Sequence, residues 1–265
     1  MDLVQTLILA IIQGITEWLP VSSTGHLNVV RTLMDLNTMD PSYVFFDFML
    51  HVGTLLVVLA VFKTEISGIL KAIFKRDFQT DDGKLALYVI VGSIPTAIIG
   101  FTLSFLFREQ FEVIYLNLLT VGIALLFNGC ILFISKRGTS TKRPDYASSL
   151  LMGVAQGAAI IPGISRSGAT ISTGLLRKMN RAESFKLSFL LSLPAVAGAA
   201  LAESRNLPAS DVDVVAMLLG VITSMIVGYM FLILLRRLVM NGKFHWFAYY
   251  CWIVGLAIVT FSVLQ

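Results

Sequence analysis

The chain has 265 residues, of which 56% are apolar and 14% charged, with a mean hydropathy of +0.82. Soluble domains carry roughly 25% charged residues, so this composition excludes a water-soluble enzyme and reads as an all-α polytopic membrane protein. The net charge of +4 is scattered over short loops, which excludes a nucleic-acid partner, and Cys130 and Cys251 lie in separate apolar runs, expected to be buried and inert rather than paired.

Residues 2–19 are apolar and run into Pro20, which lacks an amide donor and restricts Leu19, so a first helix is expected to stop near Trp18. The hydroxyl cluster that follows is no signal-cleavage site, and this segment is expected to be retained. Residues 24–34 read as a second helix, capped by Ser22, Ser23 or Thr24. At about 1.5 Å per residue it is too short to cross a bilayer. Residues 1–36 therefore read as a re-entrant hairpin whose tip lies at depth, buried in protein or lining a cavity. Six crossings are expected at roughly 44–62, 85–107, 114–134, 186–202, 213–235 and 246–264. Residues 63–78 set Ile66, Ile69, Leu70, Ile73 and Phe74 at helical spacing beside Lys63, Lys71, Lys75 and Arg76, the pattern of a basic amphipathic helix on a membrane surface. Between the third and fourth crossings, residues 147–178 form a second hairpin, interrupted at Pro162-Gly163.

With both termini outside, the inner loops 63–84, 135–147, 177–186 and 236–243 hold 16 of the 20 Lys and Arg residues. The outer segments hold Arg31, Arg108 and Arg205, together with Asp35, Asp40, Glu109, Glu112, Glu203, Asp211 and Asp213, and Arg166 sits in the second tip. The positive-inside bias favours this arrangement. Each half then has one hairpin and three crossings, and an odd number of crossings inverts the second half. QGITEWLPVSSTGH (13–26) and QGAAIIPGISRSGA (156–169) align 143 positions apart, pairing Gln13 with Gln156, Ser22 with Ser165 and Gly25 with Gly168. The chain is thus expected to be a single integral membrane domain, 1–265, built as an inverted-topology repeat: 1–134 with hairpin 1–36, and 147–265 with hairpin 147–178.

The two copies differ where chemistry would sit. Glu17 stands opposite Ile160, Ser23 opposite Arg166, and His26 opposite Ala169. Ionisable groups at membrane depth are costly and mark function. Gln13 and Glu17, four apart, share a helix face; Glu17 is a general base, a divalent-cation ligand or the ion-pair partner of Arg166. Ser23 and His26 bring a hydroxyl and an imidazole to that carboxylate, the makings of an activated nucleophile, although one or more of the hydroxyls caps a helix. Arg166, with Ser165, Ser167, Gly168 and Thr170 at a helix start, suits an anion, most naturally phosphate. Ser22, Thr24 and Gly25 offer a second such start, and two converging ends suit a diphosphate. His51 is left between packing and facing the cavity, and His245 beside Trp246 reads as a boundary anchor. No zinc, Walker or dinucleotide fingerprint occurs.

QGITE with LPVSSTGH resembles the (E/Q)xxxE and hydroxyl-histidine motifs of the bacitracin-resistance undecaprenyl-diphosphate phosphatases, and PGISRSGAT resembles their PGxSRSxxT motif. The resemblance extends over essentially the whole chain. It implies a multi-pass enzyme of the bacterial plasma membrane that hydrolyses undecaprenyl diphosphate, a long-chain polyprenyl diphosphate, to the monophosphate and inorganic phosphate. That step recycles the lipid carrier for peptidoglycan, and overproduction lowers sensitivity to bacitracin, which sequesters the diphosphate. By motif position it implies Glu17, Ser23, His26 and Arg166 as the catalytic group. Gln13, Ser22, Thr24, Gly25, Ser165, Ser167, Gly168 and Thr170 are then expected around the substrate. Gln13 stands where the family accepts Glu or Gln, which weakens a two-carboxylate metal site. No cofactor is expected to be required, with Mg²⁺ or Ca²⁺ as an optional aid and Glu17 its one candidate ligand. Attack by Ser23, by His26 or by water stays open, as does assembly into a homo-oligomer. The rival expectation is a transporter or flippase of a phosphorylated lipid, because inverted repeats with broken helices are also a transporter design. The site's mouth is expected on the extracytoplasmic side.

Overall fold

A computed structural model describes residues 3–36, 41–107, 117–136, 141–203 and 213–264. Asp40, Arg108, Glu109, Glu112, Arg205 and Asp211, which entered the charge argument, lie outside the described residues. The helices in chain order are α1 (Leu3–Trp18), α2 (Ser23–Leu33), α3 (Pro41–Val61), α4 (Lys63–Lys75), α5 (Asp81–Phe101), α6 (Leu118–Ser135), α7 (Tyr146–Ala158), α8 (Arg166–Leu176), α9 (Arg181–Glu203), α10 (Val214–Met240) and α11 (Phe247–Leu264). Among the described residues the only β feature is an isolated parallel bridge between Lys142 and Met179.

The breaks fall where backbone chemistry demands them. α1 stops at Trp18, two residues before Pro20, and α2 starts at Ser23 with Ser22 as its cap. α7 stops at Ala158 and α8 starts at Arg166 with Ser165 as its cap. Gly163, at φ +100°, makes a turn that L residues with side chains rarely adopt. At 16, 11, 13 and 11 residues, these four helices fall short of the ~20 that a crossing needs. Among the described residues, four helices are long and apolar enough to cross a membrane: Asp81–Phe101, Leu118–Ser135, Val214–Met240 and Phe244–Leu264. Phe45–Val61 and Lys63–Lys75, bent by 78° at their junction, qualify only as a pair and would make a fifth. The protein is therefore a polytopic helical membrane protein. The expected amphipathic helix is α4, with Ile66 and Ile69 packed on the core and Phe74 86% exposed.

Packing follows the rule for helices in lipid, where small and polar residues face the protein and large apolar ones face out. On α10, Gly220, Ser224 and Gly228 are buried while Leu218, Ile222, Ile226 and Met230 are exposed. Helices of one half lie against helices of the other: α1 along α10, α7 along α5, α3 on α10, α9 on α5, and α6 on α11. Glycines set these approaches. A Cβ at Gly14 would come within 2.8 Å of Val227 on α10, one at Gly157 within 2.6 Å of Ile99 on α5, and one at Gly153 would collide with the Gly92 carbonyl.

One expectation needs correction. Cys130 is exposed, because it faces outward from α6; Cys251 is buried, and both thiols are free. Pro95 and Pro194 each lie inside a helix, α5 and α9.

Candidate active site

The two broken tips meet, and the side chains that their sequences share hold them together. Ser22 Oγ caps α2 by accepting from the Gly25 amide (3.4 Å) and also accepts from the Gly163 amide of the other tip (2.9 Å). Ser165 Oγ caps α8 by accepting from the Gly168 amide (3.2 Å) and donates to the Leu19 carbonyl (3.4 Å). Ser167 Oγ donates to the Trp18 carbonyl at 2.9 Å. Asn128 of α6 bridges both tips, donating to the Pro20 carbonyl (2.8 Å) and accepting from the Ser165 amide (3.1 Å). A Cβ at Gly25 would press on Val121 at 3.1 Å, and one at Gly168 on Asn128 Oδ1 at 3.0 Å. Thr170, fully buried, donates to the Arg166 carbonyl and bonds Ser188 of α9. Of the residues expected around a substrate, Ser22, Gly25, Ser165, Ser167, Gly168 and Thr170 are thus engaged inside the protein, fixing the tips. Thr24 is half-buried on the first turn of α2.

The polar centre is Glu17, 8% exposed. Its Oε1 pairs with Arg166 Nη2, which reaches it from the other tip. Its Oε2 accepts from Ser23 Oγ (2.7 Å) and from Gln13 Nε2 (3.1 Å), and His51 Nε2 of α3 stands 3.5 Å away. The guanidinium carbon of Arg166 lies 5.8 Å from the Trp18 ring centroid, within cation–π range. Two buried polar atoms here have no protein partner: Arg166 Nη1 and Gln13 Oε1. Arg166 is the first residue of α8, whose first amides have no acceptor within their own helix, and Gln13 lies one turn before Glu17 on α1.

Glu17, Ser23, Gln13 and Arg166 are brought together as their motifs imply. His26 is not in that cluster. Its Nδ1 donates to the Ser22 carbonyl (2.8 Å), and its Nε2 accepts from the Tyr250 hydroxyl (2.8 Å), the two rings stacking at 5.8 Å. The imidazole beside the carboxylate is His51, which sequence reasoning left undecided. Asn128 was missed, although an amide in the apolar run of α6 was signal enough; Tyr250 carried no signal. An apolar cleft of about 310 Å³, lined by Ile15, Leu19, Leu238, Trp246 and Tyr250 among others, lies on the flank of α1 away from Gln13 and Glu17.

Mg²⁺ and Ca²⁺ take oxygen ligands; in this cluster Glu17 is the one carboxylate, with both oxygens engaged by protein donors, and Gln13 Oε1 stands beside it without a protein partner. Among the described residues no three His, Cys, Asp or Glu side chains gather as a ligand set.

A family model described as bacitracin resistance protein BacA matches residues 6–257. The undecaprenyl-diphosphatase of Carboxydothermus hydrogenoformans is 37% identical over 274 residues, covering 100% of this chain and 98% of that protein. Those of Korarchaeum cryptofilum (36%, covering 98% and 99%) and Desulfosudis oleivorans (39%, covering 96% and 97%) are similar over their whole lengths. With the model matching nearly end to end and the motif residues joined at one centre, the chain belongs to the bacitracin resistance protein BacA family.

Proposed function

We propose that this protein hydrolyses undecaprenyl diphosphate to undecaprenyl phosphate and inorganic phosphate, recycling the lipid carrier for peptidoglycan synthesis and so supporting bacitracin resistance. The observation that carries the reading is the cluster Ser23–Glu17–Arg166 at the junction of the two tips, in a chain whose relatives are undecaprenyl-diphosphatases. The diphosphate enters between the starts of α2 and α8. Arg166 turns the donor that lacks a protein partner, Nη1, toward it and stabilises charge on the transferring phosphoryl group. Ser23 Oγ, 2.7 Å from Glu17 Oε2, gives its proton to the carboxylate as it attacks the terminal phosphorus. The lipid phosphate departs, and water activated by the same carboxylate releases inorganic phosphate. His26, held by Ser22 and Tyr250, lines the approach to Ser23. A divalent cation is not resident in this reading; one that takes part arrives on the oxygens of the diphosphate.

The wider architecture belongs to the same proposal. Six crossings and two re-entrant hairpins form an inverted repeat, 1–134 and 147–265, supported by the exchanged packing of α1 on α10 and α7 on α5. Both termini and the site's mouth face outward, supported by the basic inner loops. A cysteine at Leu33, which is 64% exposed, in a chain lacking Cys130, is the probe of choice. It should be labelled from outside intact cells.

The exchanged packing also suits a carrier of phosphorylated lipids. A carrier needs binding groups but no hydroxyl donating to a carboxylate. Purified protein in detergent with a polyprenyl diphosphate decides between them. Release of inorganic phosphate that Ser23→Ala reduces by at least ~10²-fold supports the phosphatase; binding without release supports the carrier.

A further inference from the structure

Two imidazoles stand near the junction of the tips, and they are committed differently. Each has a Nδ1 within reach of a backbone carbonyl one turn back, Ser22 for His26 (2.8 Å) and Asp47 for His51 (2.9 Å). A carbonyl only accepts, so Nδ1 carries the proton in both rings and Nε2 is the working nitrogen. In His26 that nitrogen is taken by the Tyr250 hydroxyl. In His51 it faces Glu17 Oε2, the same oxygen that accepts from Ser23. The separation of 3.5 Å is long for a hydrogen bond, as catalytic contacts often are before substrate binds.

Exposure separates the two members of this pair. The Glu17 side chain is 5% exposed and the His51 side chain 31%. A proton left on Glu17 is enclosed by protein, whereas one on His51 stands at an open edge. The other charged groups around the ring are Arg166, beyond Glu17, and Asp47, one turn back on α3 and paired with Arg31 of α2. α10 turns Val221 and Ser224 toward α3, α9 turns Phe185 and Phe189, and none of these titrates in the working range.

We propose that His51 is a positioning residue for Glu17: its unprotonated Nε2, facing Oε2, takes the serine's proton from the buried carboxylate and passes it to the open edge of the site. The inference rests on the phosphatase reading above. As Ser23 Oγ bonds to the terminal phosphorus, the bond from phosphorus to the lipid phosphate breaks and its electron pair leaves with that phosphate. The Oγ proton passes to Glu17 Oε2 and on to His51 Nε2, restoring the carboxylate for the second half. Water then attacks the phosphorus as the bond from phosphorus to Ser23 Oγ breaks and its electron pair stays on Oγ; the water's proton travels through Glu17 to Oγ, and the proton on His51 leaves with inorganic phosphate.

His51→Gln and His51→Asn both keep a polar side chain beside Glu17 and neither can carry the proton; using two variants guards against the misfolding of one. Phosphate release from a polyprenyl diphosphate in detergent is followed across pH for each, beside the unaltered protein. The expected result is a kcat lower by on the order of 10²-fold, a KM within about twofold, loss of one limb of the kcat–pH profile, and partial restoration by imidazole buffer. Unchanged kcat and profile, or a loss confined to KM, would overturn the relay. Failure of the unaltered protein to release phosphate would instead overturn the phosphatase reading itself.

Discussion

The two hairpin tips share a frame and divide the chemistry. Both have a serine that caps the following helix by accepting from the glycine three residues on, Ser22 from Gly25 and Ser165 from Gly168. Both have a glycine in the preceding helix, Gly14 and Gly157, that lets it lie close against a helix of the other half. Their glutamines already diverge: Gln13 donates to Glu17, whereas Gln156 donates to Thr96 and to the Leu191 carbonyl. At the remaining positions the first tip holds the carboxylate and the Ser23 hydroxyl, and the second holds the guanidinium. What the tips share builds the scaffold; what they do not share forms the polar cluster. Neither tip has a complete site, and each depends on the other for charge balance at depth.

The largest expected effect comes from removing what the second tip contributes. Arg166→Ala should lower kcat by on the order of 10³-fold or more, since a guanidinium on a transferring phosphoryl group is worth that much. Arg166→Lys should retain part of the activity, about 10²-fold below the parent, because an ammonium supplies charge without the planar fork. Equal activities for the two variants would mean that the fork has no role. Phosphate release at matched protein, checked for monodispersity, gives the comparison.

The shared frame should fail by stability rather than chemistry. Gly163→Ala combines a φ of +100° with a Cβ 2.5 Å from the Val121 carbonyl, and a loss of about 1–3 kcal/mol is expected. Gly198→Ala, with nothing within 4 Å, should be neutral or stabilise by up to about 1 kcal/mol. Thermal unfolding in detergent should rank the two in that order; a reversed order would break the picture of close-fitted tips. The smallest effect is expected at Tyr250→Phe, which removes one donor to His26 and should cost about 1 kcal/mol or less, with activity within roughly threefold. A large loss would place His26 nearer the chemistry than the ring partners suggest.

Much of this was legible before any coordinates. Pro20 and Pro162-Gly163 announced both breaks, because missing donors and positive φ cannot hide in a sequence. Glu17 and Arg166 stood out for the same reason that they pair: a charge at depth needs a partner. The illegible part was direction. His26 follows Ser23 by three residues, yet the strained Ser22 (φ +68°) turns the chain so that the ring points to Tyr250, 224 positions away. His51 stays open in the sequence between packing and facing the cavity, because the crossing of α3 past α1 is what brings it to Glu17. The serines read as anion ligands because capping a helix and binding an anion call for the same residues at the same place.

The central claim is that two tips make one site, and a double-mutant comparison tests it directly. Glu17→Gln, Arg166→Ala and the double variant are assayed for phosphate release from a polyprenyl diphosphate. The account predicts that each single variant is nearly inactive and that the double variant is no worse than the poorer single, because groups acting as a unit are lost together. Near-normal hydrolysis by either single variant, or losses that multiply in the double, would contradict it.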